Sequence, residues 1–136
     1  MAIIKPFRAV RPAKNYVDMV AELPYDVMNR EEAKEMGNKN KYSFIHIDRA
    51  EVDLDDNVDE HDEAVYLKAK ENLDKFKDEK ILIKEKQECI YIYREIMDGR
   101  AQTGLVACVS VDDNINGVIK IHEYTKPDKE LDRTNH

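Results

Sequence analysis

Asp98-Gly99 is the tightest local constraint in this chain, because this two-residue hairpin signal lies between two β-rich stretches, Cys89–Met97 and Ala101–Val111. Asp-Gly readily adopts the positive backbone angles of a type I′ turn, and that turn matches the twist of the strands it joins. If Asp98-Gly99 is the whole loop, the register of the hairpin follows. Ile92 stands opposite Leu105, Tyr91 opposite Val106 and Cys89 opposite Cys108. Period-two alternation then puts Ile90, Ile92, Ile96, Leu105 and Ala107 on one face, which reads as the core side. The other face carries Tyr91, Tyr93, Glu95, Gln102 and Gly104.

The clearest helix runs from about Asp62 to Asp78, where Val65, Ala69, Leu73 and Phe76 form one apolar stripe suited to lying on a sheet. Asn29 with Glu32 makes a capping box for a helix over Arg30–Met36, and Gly37 reads as its left-handed stop. Tyr16, Val20 and Leu23 recur at helical spacing before Pro24. Strands are expected over Ala2–Val10, Tyr42–Ile47, Ile81–Ile83 and Val118–Ile121, with an acidic loop over residues 51–61. The fold class is therefore α+β: one domain over 1–136, in which a mixed β-sheet with a hairpin at about 89–111 is packed by the helix at about 62–78.

A chain of 136 residues suffices for one core. Its net charge of −7 is concentrated in residues 51–80, which hold five lysines and twelve acids. With no basic stripe, the chain is a poor match for nucleic acid. No apolar run approaches the roughly 20 residues that span a bilayer, so no membrane partner is expected. The N-terminus, Met-Ala-Ile-Ile-Lys-Pro-Phe, lacks a signal-peptide core; the expected location is cytoplasmic, with Cys89 and Cys108 as thiols.

Most motifs that suggest chemistry fail on spacing. Asp53, Asp55, Asn57 and Asp59 imitate a calcium loop, but Val58 stands where the turn needs glycine and Ala64 where a bidentate glutamate belongs. This segment reads as a solvated acidic loop. Two cysteines and four scattered histidines offer no zinc spacing, and His46 and His61 read as isolated surface or half-buried side chains. Gly37, Gly99, Gly104 and Gly117 cannot compose a glycine-rich phosphate loop.

The stretch from His122 to His136 survives that filter. It packs nine ionisable side chains and a tyrosine around one aliphatic residue, Leu131. Thr125 caps a helix with Pro127 in its first turn, along which Lys129 and Arg133, and Asp132 and His136, stand four residues apart. The bland reading is a set of exposed helix charges. With so little apolar surface, such a helix is expected to be frayed or docked on another molecule. The functional reading makes Glu123 a general base, His122 a proton carrier or anion ligand, and Lys129 and Arg133 ligands for phosphate or carboxylate. A continuous strand would send His122 and Glu123 to opposite faces, so both serve one ligand only if the strand ends at Ile121.

Ile-Lys-Pro-Phe-Arg-Ala-Val-Arg-Pro (4–12), Leu-Pro-Tyr-Asp-Val (23–27), Arg-Glu-Glu-Ala (30–33), Tyr-Ser-Phe-Ile-His (42–46), Gln-Thr-Gly (102–104) and the whole of 122–136 together resemble the uncharacterised prokaryotic family catalogued as domain of unknown function 1015. That family is similar to the ParB/sulfiredoxin-like fold, whose members bind nucleotides and include free-serine kinases. The resemblance implies a nucleotide-dependent, serine kinase-like protein. It carries over catalytic Glu123 and His122, with Thr125, Lys129, Asp132, Arg133, His136, Tyr25 and Asp26 as ligand-binding positions; no metal ligand is assigned. Family members are longer and carry a Gly-His-His-Arg segment that is absent from these residues. The chain is therefore expected to be a truncated, N-terminal portion, inactive alone. ADP or ATP with magnesium would be bound only by the longer protein, whose C-terminal portion would be its partner. The alternative is a non-catalytic module that binds an anion or a protein through Tyr91, Tyr93, Gln102 and the terminal helix; the oligomeric state is left open.

Overall fold

The computed structural model describes residues 1–24, 27–121 and 126–136, apart from the side chains of Asp128 and Asp132. In chain order the strands are β1 (Ile4–Lys5), β2 (Val10–Pro12), β3 (Leu82–Lys84), β4 (Tyr91–Met97), β5 (Arg100–Val106) and β6 (Cys108–Val109). The helices are α1 (Val17–Val20), α2 (Arg30–Lys39), α3 (Ile45–Asp48), α4 (Glu63–Asp78), α5 (Val111–Ile115) and α6 (Pro127–Asn135), with a 3-10 turn at Ala50–Asp53. The class is α+β. Among the described residues the strands form three two-stranded sheets, β1-β6, β2-β3 and β4-β5, rather than the single mixed sheet expected. Two compact units result: the described residues of Met1–Val10 with Lys84–Thr125, and those of Arg11–Ile83 with Lys126–His136.

In the first unit, β4 and β5 pair antiparallel in the register that the turn dictates, Tyr91 with Val106 and Ile92 with Leu105. Asp98 and Gly99 both take positive φ, 51° and 77°. The pairing does not extend to the cysteines. Cys89 exchanges backbone hydrogen bonds with Phe7 at 3.1 and 3.0 Å, while Cys108 pairs with Lys5, and both thiols are free and exposed. The N-terminal segment thus supplies the partner on both flanks, a long-range choice that no local turn encodes. Nor is the isoleucine face of the hairpin a core: Ile92, Ile96 and Leu105 are 74%, 69% and 71% exposed. The expected strand at Val118–Ile121 is absent. Gly117, at φ 68°, turns the chain back, and the amides of Val118 and Ile119 both donate to the Asp113 carbonyl.

The second unit holds the core. Asn29 and Glu32 form the complete capping box of α2, each side chain accepting the other's backbone N–H. Gly37 is not a stop; α2 continues to Lys39. A Cβ at Gly37 would lie 3.3 Å from His46 Cε1 and 3.4 Å from Val52 Cγ2, so glycine here permits close packing. The apolar run Tyr42–Ile47, expected as a strand, instead turns into α3. Such short runs fit a buried helix as well as a strand. Here Ser43 Oγ accepts from the Ile45 amide at 3.3 Å, and the Phe44 amide donates to Val20.

Helix α4 starts where Asp62 accepts the Ala64 amide at 2.8 Å. It buries Val65, Ala69, Asn72 and Phe76, the expected stripe with Asn72 in place of Leu73, which is half-buried. The stripe packs against α3 and the 3-10 turn. Phe76 joins Val20, Ile47, Ile81 and Leu82; Val65 and Ala69 join Ala50. A third cluster gathers Met28, Ala33, Ile45 and Val52. The acidic segment between them is a series of local turns, in which Asp55 accepts from Asn57 N and Asp59 from His61 N.

Candidate functional site

The end of α3 places Asp48 and Arg49 side by side above the start of α4. Arg49 is held from three directions. Its Nε donates to Glu51 Oε1 at 2.5 Å, Nη1 donates to the Met28 carbonyl at 3.1 Å, and Nη2 lies 3.9 Å from Glu60 Oε2. Glu51 is buried, 3% exposed, so the guanidinium takes the place of the water it has lost. Arg30, opening α2, donates from Nη1 to the Val58 carbonyl at 2.7 Å and from Nη2 to that of Asp55 at 3.2 Å. Its Nε is buried with no hydrogen-bond partner among the described residues. The acidic segment thus contributes carbonyl oxygens that fix an arginine rather than carboxylates that fix calcium. Among the described residues no three of His, Cys, Asp and Glu converge as metal ligands.

These side chains line a cleft of about 360 Å³. Three cations, Arg30, Arg49 and Lys129, face it with three carboxylates, Asp48, Glu51 and Glu60, and with His61 and His136. Lys129 belongs to α6 and His136 follows it. The His136 ring meets Tyr66 of α4 edge to face, with centroids 5.9 Å apart. This contact joins the residue after α6 to α4, while every residue of α6 whose side chain is described is exposed. Leu131 stays 64% exposed, and the contact is aromatic and polar instead.

Of the positions expected at a site, Lys129 and His136 come together in the cleft. Arg133 lies on α6 outside its lining, Asp132 is described only by its backbone, and Tyr25, Asp26, His122, Glu123 and Thr125 lie outside the described residues. The sequence pattern does not single out Arg30, Asp48, Arg49, Glu51 or Glu60, and it reads His61 as an isolated side chain. Each stands in a segment whose local pattern reads as cap, turn or strand, and the fold alone assembles them. On the hairpin, Tyr91 is a link within its unit: its hydroxyl donates to the Phe7 carbonyl at 3.1 Å and accepts from the Ala9 amide at 2.9 Å.

Electrostatics mark the α3 end as unusual. Burial, then the charge of Asp48, pushes Glu22 from an ordinary 4.5 to about 7, partly offset by the Ser43 hydroxyl donating to Glu22 Oε2 at 3.3 Å. Burial also raises Asp48, against the opposing pull of His136 and Arg49. Of the two, Asp48 lines the cleft, and a perturbed carboxylate in such a lining is a recognised mark of ligand or proton chemistry.

This leads to a stability prediction. The folded chain holds the Glu22 proton more tightly than the unfolded chain, so ionising it costs nothing below about 4.5, increasingly more up to about 7, and a constant amount above. Because Glu22 is partly solvated, that cost is roughly 1–2 kcal/mol. Glu22→Gln should therefore stabilise the chain at pH 8 and lose most of that advantage at pH 5, measured by urea unfolding. An advantage equal at both pH values would refute the assignment.

Residues 4–136 match the family described as Protein of unknown function (DUF1015). The chain belongs to the DUF1015 family. No curated protein and no solved structure matches it. The DUF1015 match spans both compact units, so hairpin and cleft alike lie within the family region. Among the described residues of this DUF1015 chain, no helix is long and apolar enough to cross a membrane.

Proposed function

We propose that the cleft at the end of α3 binds a small zwitterion of the amino-acid class, its carboxylate toward Lys129, His136 and Arg49 and its ammonium toward Glu60. The observation behind this is the lining itself, in which both signs of charge face one small volume. A polyphosphate would meet three carboxylates there, and an apolar molecule would leave buried charges unpaired. An amino acid satisfies both sets. The similarity of the family to ParB/sulfiredoxin-like free-serine kinases favours serine, with this cleft as the acceptor side of a nucleotide-dependent reaction.

In that reading Asp48, raised by burial, holds the proton released from the serine hydroxyl, and Glu22 beside it tunes its affinity. Such a reaction also needs ADP or ATP with magnesium. The described residues offer neither a glycine-rich phosphate cradle nor three convergent metal ligands, so the reading gives this chain no nucleotide step.

Calorimetric titration of the chain with L-serine tests the site. Binding should weaken about tenfold, or about 1.4 kcal/mol, in Lys129→Ala and His136→Ala, and again with serine methyl ester, which lacks the carboxylate. Equal affinity for L-serine, its methyl ester and inorganic phosphate would discard the zwitterion reading.

A further inference from the structure

We propose that two copies of this chain pair edge to edge through β5, joining their hairpins into one four-stranded antiparallel sheet. A lone two-stranded hairpin is marginal in water, and every residue of β5 is exposed. Among the described strands, β5 has a single neighbour, β4.

The turn decides which backbone groups that edge offers. A two-residue loop makes Met97 and Arg100 a hydrogen-bonded pair, and pairs then alternate along the ladder. Arg94 and Thr103 are consequently a close, non-hydrogen-bonded pair, in keeping with the 3.2 Å bond from Arg94 Nε to Thr103 Oγ1. The N–H and C=O groups of Ala101, Thr103 and Leu105 therefore point away from β4.

A two-fold axis at Thr103 brings those outward groups into register with themselves. Thr103 then faces the Thr103 of the other copy, and Ala101 faces Leu105, so threonine meets threonine and apolar meets apolar. Charge selects a second copy as the occupant. The hairpin from Tyr91 to Val106 carries Arg94, Arg100, Glu95 and Asp98, hence no net charge, within a chain of net charge −7. Two copies can meet here without the repulsion that the rest of the chain imposes. The β5 edge has neither the lysine nor the proline that commonly protects an exposed strand. Its only charge, Arg100, would face Val106. The same operation on the β4 edge would set Arg94 against Arg94, which disfavours it.

The test is the mass of the full chain by light scattering at micromolar concentration. Wild type should show twice the chain mass. Thr103→Pro, which removes an outward N–H, should weaken association more than about tenfold while leaving the far-ultraviolet dichroism unchanged. Leu105→Glu should do the same without touching the backbone. Adding Ala101→Lys to Leu105→Glu should restore the dimer, because position 101 of one copy faces position 105 of the other. A monomeric wild type overturns the proposal, as it would if the occupant were another protein. So does a dimer indifferent to both single variants, or a double variant that stays monomeric.

Discussion

Arg49→Met is expected to destabilise the chain by about 3–5 kcal/mol, as breaking one side of a buried ion pair does. The guanidinium supports Glu51 at 2.5 Å and ties the Met28 carbonyl at 3.1 Å to the end of α3. Glu51, 3% exposed, cannot recover its lost partner from water. Out of a typical total of about 5–15 kcal/mol, this is a large fraction, visible as a shifted urea midpoint. The cause can be isolated by removing both charges: Arg49→Met with Glu51→Leu should recover most of the loss, since a packed apolar pair often equals a buried ion pair. Should the double variant be as unstable as the single one, the Met28 tether rather than the ion pair is what Arg49 provides. The double variant should also bind L-serine more weakly than wild type despite its stability, because the cleft then lacks Arg49.

Ile45→Ala is the second large effect, about 2–5 kcal/mol from lost burial and the cavity left behind. Ile45 has no exposed surface and packs with Met28, Ala33 and Val52. It also opens the single helical turn that ends at Asp48, and the vacancy would adjoin Met28, which lines the cleft. Urea unfolding should show the loss, and L-serine affinity should fall beyond the fraction unfolded. Ile45→Val, costing about 0.5–1.5 kcal/mol, should leave affinity unchanged. If Ile45→Ala binds serine as wild type does, the α3 end holds its geometry without this core.

Local signals foretold several elements well. Asp98-Gly99 set the register of the hairpin, Asn29 with Glu32 built the α2 cap, and the α4 stripe came out with Val65, Ala69 and Phe76 buried. Each depends on residues within a few positions of one another. Where partners are distant, local pattern misled. Tyr42–Ile47 has strand-like composition, yet its amides meet Ser43, Asn40 and Val20, so it turns. Cys89 and Cys108 face Phe7 and Lys5 instead of one another, because the N-terminal segment competes for the same backbone groups.

The residues of the cleft show the same division. Lys129 and His136 drew attention in the sequence because a polar stretch with so little apolar surface needs an explanation. Asp48, Arg49 and Glu51 drew none, since a charged residue at a helix end is ordinary until its partners are known. From sequence alone came the family motif, the charge distribution, the α2 capping box and the hairpin turn, all of them properties of neighbouring residues. Tertiary structure alone decided which carboxylates lose water beside α3, which arginines are locked by carbonyls, and that the isoleucine face of the hairpin stays uncovered. Desolvation and pairing are set by what lies across space, and that depends on contacts between residues far apart in the chain.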